Sequence, residues 1–388
     1  MNVKDSVGLF PAPATRVQEQ CFYVFKNPVE WISGSLEEMH CINKVIENYR
    51  EVLPDGQDPH GAVFGRVDYE GHFEFAVCSE IEVISADKLL PEEVVIEQSS
   101  SELWQQSMTE KDYCNKVELA QKHIADGNIY QVNLARHYHI MEPHLDEWEL
   151  FKHLWALTEA PRSSLFIGQK RSVISASPEC FLQMHGKQIM TQPIKGTRPR
   201  DRDETRDKQN AFDLMHNEKE IAELVMITDL ERNDLGKVCE YGSIRVRDLV
   251  AREAFSHVFH LYSTIEGTIR PELSHVDVLQ SCFPGGSITG APKKRAMEII
   301  RELETSSRGT YTGCLGYFGF NGDSHFNIAI RSFEYQNAQL SFGVGSGITS
   351  DSIGDKEYEE TEHKAQALLE AYESYRLSHQ YDYLEALK

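Results

Sequence analysis

The sequence predicts an α+β fold in which antiparallel or mixed sheets carry helices on their outer faces. Strand-like runs recur along the chain, and helical segments interrupt them at irregular intervals. This order is typical of α+β domains, whereas a helix after every strand would indicate a parallel α/β sheet. The 388 residues show no internal repeat or low-complexity tract, and they suffice for one large domain or two medium ones.

The first hundred residues contain short strand-like runs such as QCFYVF and HFEFAVCSEIEVI, separated by Pro, Gly and Asp. They end in the polar stretch EEVVIEQSSSE, which we interpret as a linker. The sequence therefore predicts a division of the chain into residues 1–100 and residues 101–388.

The clearest helix signal follows this stretch, in TEKDYCNKVELAQKHIADGN. Apolar residues at helical spacing form one face: Tyr113, Val117, Ala120 and Ile124. Thr109 and Asp112 have the spacing of a capping box, and Gly127 supplies a stop signal. These signals predict a helix between residues 109 and 127.

The remaining elements continue in mixed order to the end of the chain. The strand-like runs are IYQVNLARHYHI, SSLFIG, SVISASPECFLQMHG, QIMTQPIKGT, FHLYSTIEGTI, TGCLGYFGF, FNIAIRSFEY and QLSFGVGSGI. The helical segments lie near 208–230, 273–282, 291–304 and 355–376. This order does not match the repeated strand–helix units of a dinucleotide-binding fold.

Charge and composition narrow the class of ligand. The formal charge is −22, so the chain lacks the basic footprint that nucleic acid or an anionic membrane surface requires. Eight cysteines are scattered without a CxxC pair or zinc spacing, which favours reduced thiols. No signal-peptide core or membrane-length apolar run is visible. We therefore expect a cytoplasmic protein whose positive side chains gather around a small anionic molecule.

The stretch QPIKGTRPR places Lys195 between Ile194 and Gly196. Partial burial there would lower the pKa of the lysine and leave a free amine that can attack carbon. A solvated charge and a member of an anion clamp are the alternative interpretations, because lysine is seldom buried without a partner. The residues alone leave these three interpretations open.

Two acidic pairs predict a magnesium site. Glu220 and Glu223 are three residues apart, as are Glu357 and Glu360, so each pair lies on one face of a predicted helix. Carboxylates from two helices suit Mg²⁺, a hard ion that takes oxygen ligands and often keeps waters. The alternative is a salt-bridged helix surface. The lysines available for such pairing are Lys219, Lys356 and Lys364.

Glycine-rich motifs give a weaker signal. FPGGSITGAPKK is not a nucleotide-binding P-loop, because Ala291 follows Gly290 where that motif has lysine. GVGSGI contains Gly345 and Gly347, which suit either close approach of the backbone to a carboxylate or a plain turn. We find no signature of a hydrolase or of the cysteine-dependent glutaminase of an amidotransferase.

Taken together, a series of motifs between about residues 108 and 375 resembles the chorismate-utilising enzymes. The motifs are DGNIYQVNLARH, SPECF, PIKGTRPR, AELVMITDLERNDLGKV, HLYSTIEGTI, CFPGGSITGAPKKRAMEII, RGTYTGCLGYFGF, NIAIRSF, GVGSGI and EYEETEHKAQALL. Residues 1–100 match the family poorly and are shorter than usual in it. The resemblance implies an α/β/β/α sandwich of two facing antiparallel sheets with helices outside and the substrate at one end.

The resemblance also implies catalytic roles. Lys195 corresponds to a lysine that adds to C2 of chorismate as the C4 hydroxyl leaves. Glu179 corresponds to the general acid that protonates this hydroxyl, and His260 to a histidine close to it. Such an acid needs a raised pKa to be protonated near neutral pH, and burial supplies one.

Binding residues follow from the same resemblance. Glu223 and Glu360 correspond to Mg²⁺ ligands, with Glu220 and Glu357 as water-mediated support. The family positions that hold the substrate carboxylates or line the pocket are Thr197, Tyr311, Arg331, Gly345 and Gly347. Arginine can offer a bidentate fork to a carboxylate, which would orient the ring.

Two positions separate the branches of the family. Anthranilate synthase component I has alanine in the place of Lys195, and isochorismate synthases have a water-activating lysine in the place of Gln131. The chain is therefore expected to aminate C4 and form 4-amino-4-deoxychorismate for p-aminobenzoate and folate biosynthesis, with ammonia from a separate glutaminase subunit. The alternatives are amination at C2, in an anthranilate-type or 2-amino-2-deoxyisochorismate enzyme, and a non-catalytic binding subunit.

Overall fold

The computed structural model describes residues 6–13, 20–52, 57–91, 94, 101–255 and 258–386. The helices in these segments are α1 (Cys41–Asn48), α2 (Glu110–Ala125), α3 (Glu147–Thr158), α4 (Glu204–Met215), α5 (Glu218–Gly236), α6 (His275–Cys282), α7 (Lys293–Leu303) and α8 (Gly354–Ala386). The strands are β1 (Ser6–Pro11), β2 (Cys21–Ser35), β3 (Ala62–Val67), β4 (His72–Ser85), β5 (Gln105–Gln106), β6 (Gln131–Met141), β7 (Ser164–Ile167), β8 (Ser172–Ser175), β9 (Cys180–His185), β10 (Gln188–Gln192), β11 (Ile194–Pro199), β12 (Arg245–Ala254), β13 (Val258–Thr268), β14 (Gly290–Ala291), β15 (Cys314–Gly319), β16 (Asp323–Ile328), β17 (Ser332–Gln336) and β18 (Gln339–Ile348).

The strands form one continuous ribbon with antiparallel pairing throughout the described residues. One half runs in the order β6, β18, β17, β8, β7, β1 and β2. The other half runs in the order β4, β3, β15, β16, β9, β10 and β13. The long strands β2 and β4 pair with each other and join the two halves. The first hundred residues thus supply the strands at the centre of the ribbon.

Aromatic side chains fill the space between the two halves. Phe25 of β2 stacks on Phe64 of β3 with ring centroids 4.1 Å apart. The large buried side chains of this layer are Phe10, Tyr23, Phe25, Phe64, Phe166 and Tyr317. They come from β1, β2 and β7 on one side and from β3 and β15 on the other, so the two halves face each other across an apolar interior. The predicted sandwich of two antiparallel sheets is confirmed.

Helices cover the outer faces. Apolar residues of α3 and α8 pack on β18 and its neighbours, and those of α7 pack on β6 and β14. Helices α4 and α5 form a smaller cluster against β13. No helix within the described residues is long and apolar enough to span a bilayer.

The predicted helix after residue 109 is confirmed as α2. The Thr109 hydroxyl accepts a hydrogen bond from the Asp112 amide at 3.2 Å, and Gly127 adopts a positive φ of 73° just beyond the helix. The helix predicted near 208–230 is instead two helices, because Asn217 caps a new one by accepting a hydrogen bond from the Glu220 amide at 3.1 Å. Helices α1 and α3 and strand β12 were not predicted.

The interpretation of EEVVIEQSSSE as a linker falls largely on residues that lie outside the described part of the chain. The boundary at residue 100 stays a prediction. All eight cysteines are free in this structure.

Candidate active site

A strip of glycines on β18 forms the floor of the candidate site. A Cβ atom at Gly345 would lie 2.7 Å from Asn133 Oδ1, and one at Gly347 would lie 2.4 Å from Gln131 Nε2. The side chains of β6 therefore rest directly on the β18 backbone, which only glycine permits. The two glycines lie within a strand and allow close approach, so the plain-turn interpretation was wrong.

Strand β11 carries Lys195 and Thr197 beside this floor. A bulge against β13 falls between them, at Gly196, which adopts a φ of 70°. A Cβ atom at Gly196 would lie 2.6 Å from Glu220 Oε2, so a side chain there would collide with the glutamate. The glycine of the PIKGT motif thus allows helix α5 to approach β11.

The Lys195 amine lies inside the site. Its Nζ is 3.0 Å from Glu223 Oε1 and donates a hydrogen bond to the Ser287 carbonyl at 3.3 Å. Burial by itself lowers the pKa of Lys195, but Glu223, Glu179 and Glu360 outweigh burial and raise the pKa. The expectation of an amine with a lowered pKa was therefore wrong for the protein without ligands, because the sequence does not show which acids surround Lys195.

Glu179 lies just before β9 and is 4% exposed. Its Oε1 atom has no hydrogen-bond partner. Burial raises the pKa of its carboxyl group, and the nearby Ser287 and Lys195 lower that pKa in part. A protonated carboxyl group with a free oxygen in a buried site can donate a proton to a leaving group.

His260 of β13 stands opposite Thr197. Its Nδ1 is 2.9 Å from Thr197 Oγ1 and 3.3 Å from the Gly196 carbonyl, whereas its Nε2 is buried without a partner. Burial, together with the charge of Arg331, lowers the pKa of His260 to about 3. The imidazole is therefore neutral near pH 7, and its Nε2 can accept a hydrogen bond within the site when Nδ1 carries the proton.

The predicted glutamate pair on α5 faces the floor. Glu223 Oε1 accepts a hydrogen bond from Gln131 Nε2 at 2.6 Å in addition to its contact with Lys195. Glu220 Oε1 pairs with Arg198 at 2.9 Å, while its Oε2 is buried without a partner. This pairing shows that Arg198 borders the site.

The predicted pair on α8 also has partners within the protein. Glu357 accepts a hydrogen bond from Ser352 at 2.7 Å and lies 4.0 Å from Lys219. Glu360 pairs with Lys364 at 2.7 Å. Two of the three lysines named by the alternative, salt-bridged interpretation thus pair with these glutamates.

The residues present fit a magnesium ion by their chemistry. The donors are all carboxylate oxygens, which Mg²⁺ prefers, and the free Glu220 Oε2 faces Gly196. In their present positions, no three His, Cys, Asp or Glu side chains among the described residues are arranged to hold a metal. A metal bound here would therefore have to displace the lysines that now pair with Glu223 and Glu360.

Arg331 and Tyr311 complete the far side of the site. Arg331 adopts a φ of 50°, which is uncommon for a residue other than glycine. Burial lowers the pKa of Arg331, and Glu179 partly offsets this. The Tyr311 hydroxyl lies 3.0 Å from the position of a Cβ at Gly345, and burial raises its pKa. The structure thus brings the predicted residues of strands and loops together.

Sequence reasoning missed three residues that contact the site: Asn133, Arg198 and Ser287. Only Asn133 had a usable signal. It lies two residues after Gln131, and alternate residues of a strand share a face. Arg198 and Ser287 are brought in by the β11 bulge and by the turn before β14, and no local pattern marks either residue.

The chain belongs to the chorismate binding enzyme family, which matches residues 73–370. Within this family it is similar to aminodeoxychorismate synthase component 1 of Bacillus subtilis, with 42% identity over 266 residues, 68% of this chain and 56% of the relative. The protein of that name from Escherichia coli is 41% identical over 270 residues, 70% of this chain and 59% of the relative. An anthranilate synthase component I-like protein of Synechocystis is 40% identical over 68% of this chain and 55% of the relative. The matched region spans just over half the length of these relatives.

Solved structures share the fold. Anthranilate synthase component I from Streptococcus pneumoniae superposes with a TM-score of 0.78 at 24% identity, over 92% of this chain and 94% of that chain. The menaquinone-specific isochorismate synthase from Escherichia coli gives a TM-score of 0.73 at 18% identity, over 94% of this chain and 88% of that chain. At these identities the likeness establishes the architecture alone.

Proposed function

We propose that this protein aminates chorismate at C4 with ammonia and forms 4-amino-4-deoxychorismate. The observation that carries the proposal is the Lys195 amine, whose side chain is only 15% exposed and whose Nζ lies 3.0 Å from Glu223 within a site that also contains Glu179. The similarity to aminodeoxychorismate synthase component 1 supports the same reaction. A surface lysine would have neither this burial nor these neighbours.

In the proposed reaction, the Lys195 amine adds to C2 of the ring, both ring double bonds shift, and the hydroxyl leaves C4 as water after Glu179 donates a proton. Ammonia then adds at C4, both double bonds shift back, and the bond between C2 and Lys195 breaks. The proton released from nitrogen returns to Glu179. Chorismate and ammonia thus become 4-amino-4-deoxychorismate and water, without an oxidant or reductant.

Lys195 must be neutral before it can attack. Glu223 and Glu360 would hold Mg²⁺ directly, and Glu220 and Glu357 would do so through water. When bound, Mg²⁺ would compensate the glutamate charges that raise the pKa of Lys195 and would favour a dicarboxylate substrate. This compensation of charge would explain how a lysine that pairs with glutamate in the free protein serves as a nucleophile once magnesium is bound.

The strands orient the ring. Arg331 can bind one substrate carboxylate with a bidentate fork, and the Tyr311 hydroxyl and the amides near Gly345 can hold the same group. Neutral His260 can accept a hydrogen bond from the C4 hydroxyl and aim it at Glu179. These contacts fix the distance and angle between Lys195 and C2.

Replacement of Lys195 tests the proposal. Wild type, Lys195→Ala and the exposed control Lys170→Ala are incubated with chorismate, MgCl₂ and ammonium chloride, and the products are identified by mass spectrometry. We expect C4-aminated product from wild type and control, and a loss of about 10³-fold or more in Lys195→Ala. An unchanged rate in Lys195→Ala would refute the covalent role.

The reaction would place the protein in a larger assembly and pathway. We propose that a separate glutaminase subunit supplies the ammonia, since the name component 1 of the relatives implies a second component. The product would feed p-aminobenzoate and folate biosynthesis in the cytoplasm. Glutamine with a glutaminase subunit should replace ammonium chloride in the assay.

Amination at C2 is the second candidate. The anthranilate synthase component I-like relative from Synechocystis, at 40% identity, is the observation that favours it. The same assay separates the two reactions, because anthranilate is fluorescent and the C2- and C4-aminated intermediates fragment differently. A non-catalytic binding subunit would give no product with any nitrogen donor.

A further inference from the structure

Glu231 is a buried acid that the proposed reaction does not use. It lies about two turns beyond Glu223 on helix α5 and is 6% exposed. Its Oε2 accepts a hydrogen bond at 2.6 Å from the hydroxyl of Thr191, which is also buried. A glutamate is seldom buried to this extent without a cationic partner, and the neighbouring Lys293 pairs with Asp234 instead.

Glu231 and Glu179 lie on the two sides of one turn. The turn comprises residues 286–288, between α6 and β14. A Cβ atom at Gly286 would lie 3.5 Å from Glu231 Cγ, while the next residue, Ser287, lies beside the Glu179 carboxyl group. The turn therefore holds the general acid of the proposed reaction next to a second carboxyl group.

Strand pairing places the two acids in the same way. Cys180, which follows Glu179, pairs with Gln192 of β10. The residue before Gln192 is Thr191, whose hydroxyl binds Glu231. Two independent parts of the fold, a turn and a strand pair, thus bring both carboxyl groups into one buried cluster.

The other titratable groups that face Glu231 do not supply it with a partner. Asp234, one turn further along α5, pairs with Lys293 of α7 and lies 2.8 Å from Lys237. Cys180 is a neutral thiol near pH 7, because burial raises its pKa to about 11. Glu179 is therefore the group whose ionisation acts most directly on Glu231.

Two carboxylates in one buried cluster repel each other, so each makes loss of a proton from the other less favourable. Burial raises the pKa of both groups, and the charge of Glu179 adds to the rise for Glu231, whose pKa is about 8. This influence is mutual, so the charge of an ionised Glu231 raises the pKa of Glu179 in turn.

We propose that Glu231 is a positioning residue that acts through Glu179: the charge that Glu231 gains as the pH rises keeps the proton on the general acid. The inference rests on the proposed function, because Glu179 is the acid of that reaction. Glu179 thus stays protonated to a higher pH than its own burial allows.

The pH dependence of the rate tests this role. Glutamine has the size of a protonated glutamate and cannot ionise, so Glu231→Gln should match wild type at a pH where Glu231 is protonated and differ where it is ionised. The kcat of both proteins is measured with saturating chorismate, MgCl₂ and ammonium chloride between about pH 6 and about pH 9. We expect the ratio of wild-type to variant kcat to be near one at the acid end and about threefold or more at the alkaline end. Taking this ratio at each pH removes the effect of pH on the concentration of free ammonia.

A purely structural role of Glu231 predicts a different result. Loss of packing lowers kcat by a similar factor at every pH, so a ratio that does not change with pH overturns the inference. Asp229→Asn is the matched control, since it removes a carboxylate from the same helix at a side chain that is 72% exposed. Its kcat should follow that of wild type across the range. A ratio that rises equally for this control would show that the charge of the helix, and not Glu231, is responsible.

Infrared spectroscopy gives a reading that does not depend on catalysis. The C=O band of a protonated carboxyl group is separate from that of a carboxylate, so wild type should show a protonated band that disappears near pH 8 and is missing in Glu231→Gln. Thr191→Val removes the hydrogen bond that stabilises the carboxylate, so this band should persist to a higher pH, and kcat near pH 8 should fall below that of wild type. Identical spectra of wild type and Glu231→Gln at every pH would overturn the inference.

Failure of the proposed function is visible separately. If wild type forms no aminated product from chorismate and ammonium chloride, the assignment of the reaction fails before any variant is compared. If wild type aminates chorismate and the ratio of kcat values stays constant with pH, only the role of Glu231 is wrong.

Discussion

The two walls of the candidate site differ in how their polar groups are satisfied. The helix wall, formed by α5 and α8, has glutamates that already pair with protein cations, as Glu223 does with Lys195 and Glu360 with Lys364. The strand wall, formed by β6, β11 and β13 and the start of β9, keeps Glu179 Oε1 and His260 Nε2 buried and without partners. Apart from the buried Glu220 Oε2, the glutamates of the helix wall thus have partners within the protein, whereas the strand wall is complete only when a ligand supplies its hydrogen bonds.

This difference indicates that the two walls have different roles in the proposed reaction. Carboxylates that exchange a lysine for a metal can respond to the concentration of a cation, because the two partners compete. Groups held without partners in a buried site are already in place for a substrate and need no rearrangement. We therefore expect changes in the strand wall to reduce the rate of the chemical step and changes in the helix wall to alter the requirement for metal.

The largest effect is expected for Glu179→Gln in the strand wall. Glutamine keeps the size of the side chain but cannot donate the proton to the C4 hydroxyl, so kcat should fall about 10³-fold. Steady-state rates with saturating chorismate and ammonium measure the change, with Glu159→Gln after helix α3 as the control. A drop of less than threefold would remove Glu179 from the role of general acid.

The next effect is expected for Arg136→Met, which concerns the support of the helix wall. Arg136 is fully buried and donates to Thr361 at 2.8 Å and to Glu362, the two residues of α8 that follow Glu360. Removing it leaves buried acceptors without a donor, so the free energy of unfolding should fall by about 2–4 kcal/mol. Urea unfolding measures the loss, and Arg295→Met on the exposed face of α7 should change it little.

A smaller effect is expected for Glu360→Gln in the helix wall. The amide is a weaker ligand than the carboxylate, so the Mg²⁺ concentration for half-maximal rate should rise about tenfold or more, while kcat at saturating Mg²⁺ falls less. Titration of activity and calorimetric titration with Mg²⁺ give two independent readings. The adjacent exposed Glu359→Gln is the control, and equal titration curves for the two variants would contradict a metal role for Glu360.

The smallest effect is the pH dependence of stability due to His260. Its pKa is about 3 in the folded protein, lowered by burial, and near 6.5 in the unfolded chain. Between these values the unfolded chain binds the proton and the folded protein does not, so stability is full above about pH 6.5 and is lost as the pH falls, by up to about 1.4 kcal/mol per unit. Urea unfolding at pH 6.5 and pH 5.5 should show a smaller loss in His260→Gln than in wild type or in the exposed control His144→Gln.

Local patterns predicted much of the fold. Period-two runs marked most strands from β6 onward, and the capping box and apolar face of α2 were correct to within a residue or two. The same patterns did not reveal the break between α4 and α5, because the amphipathic signal continues across Asn217 and only the cap separates the two helices. Strand β12 alternates only half-buried and exposed side chains, so it lacks the buried face that makes a strand visible.

The sequence by itself determined which residue types the site contains. These are glutamate pairs at helical spacing, a lysine next to a glycine, and strand glycines whose lack of a side chain lets neighbouring groups approach. Tertiary structure alone decided the charge state and the partners. Lys195 is 28 positions from Glu223 along the chain, and Gln131 is 92 positions from it, yet all three meet at one carboxylate oxygen. Spacing reports only what neighbours along the chain share, whereas a pKa and an unpartnered acceptor depend on everything that surrounds an atom in space.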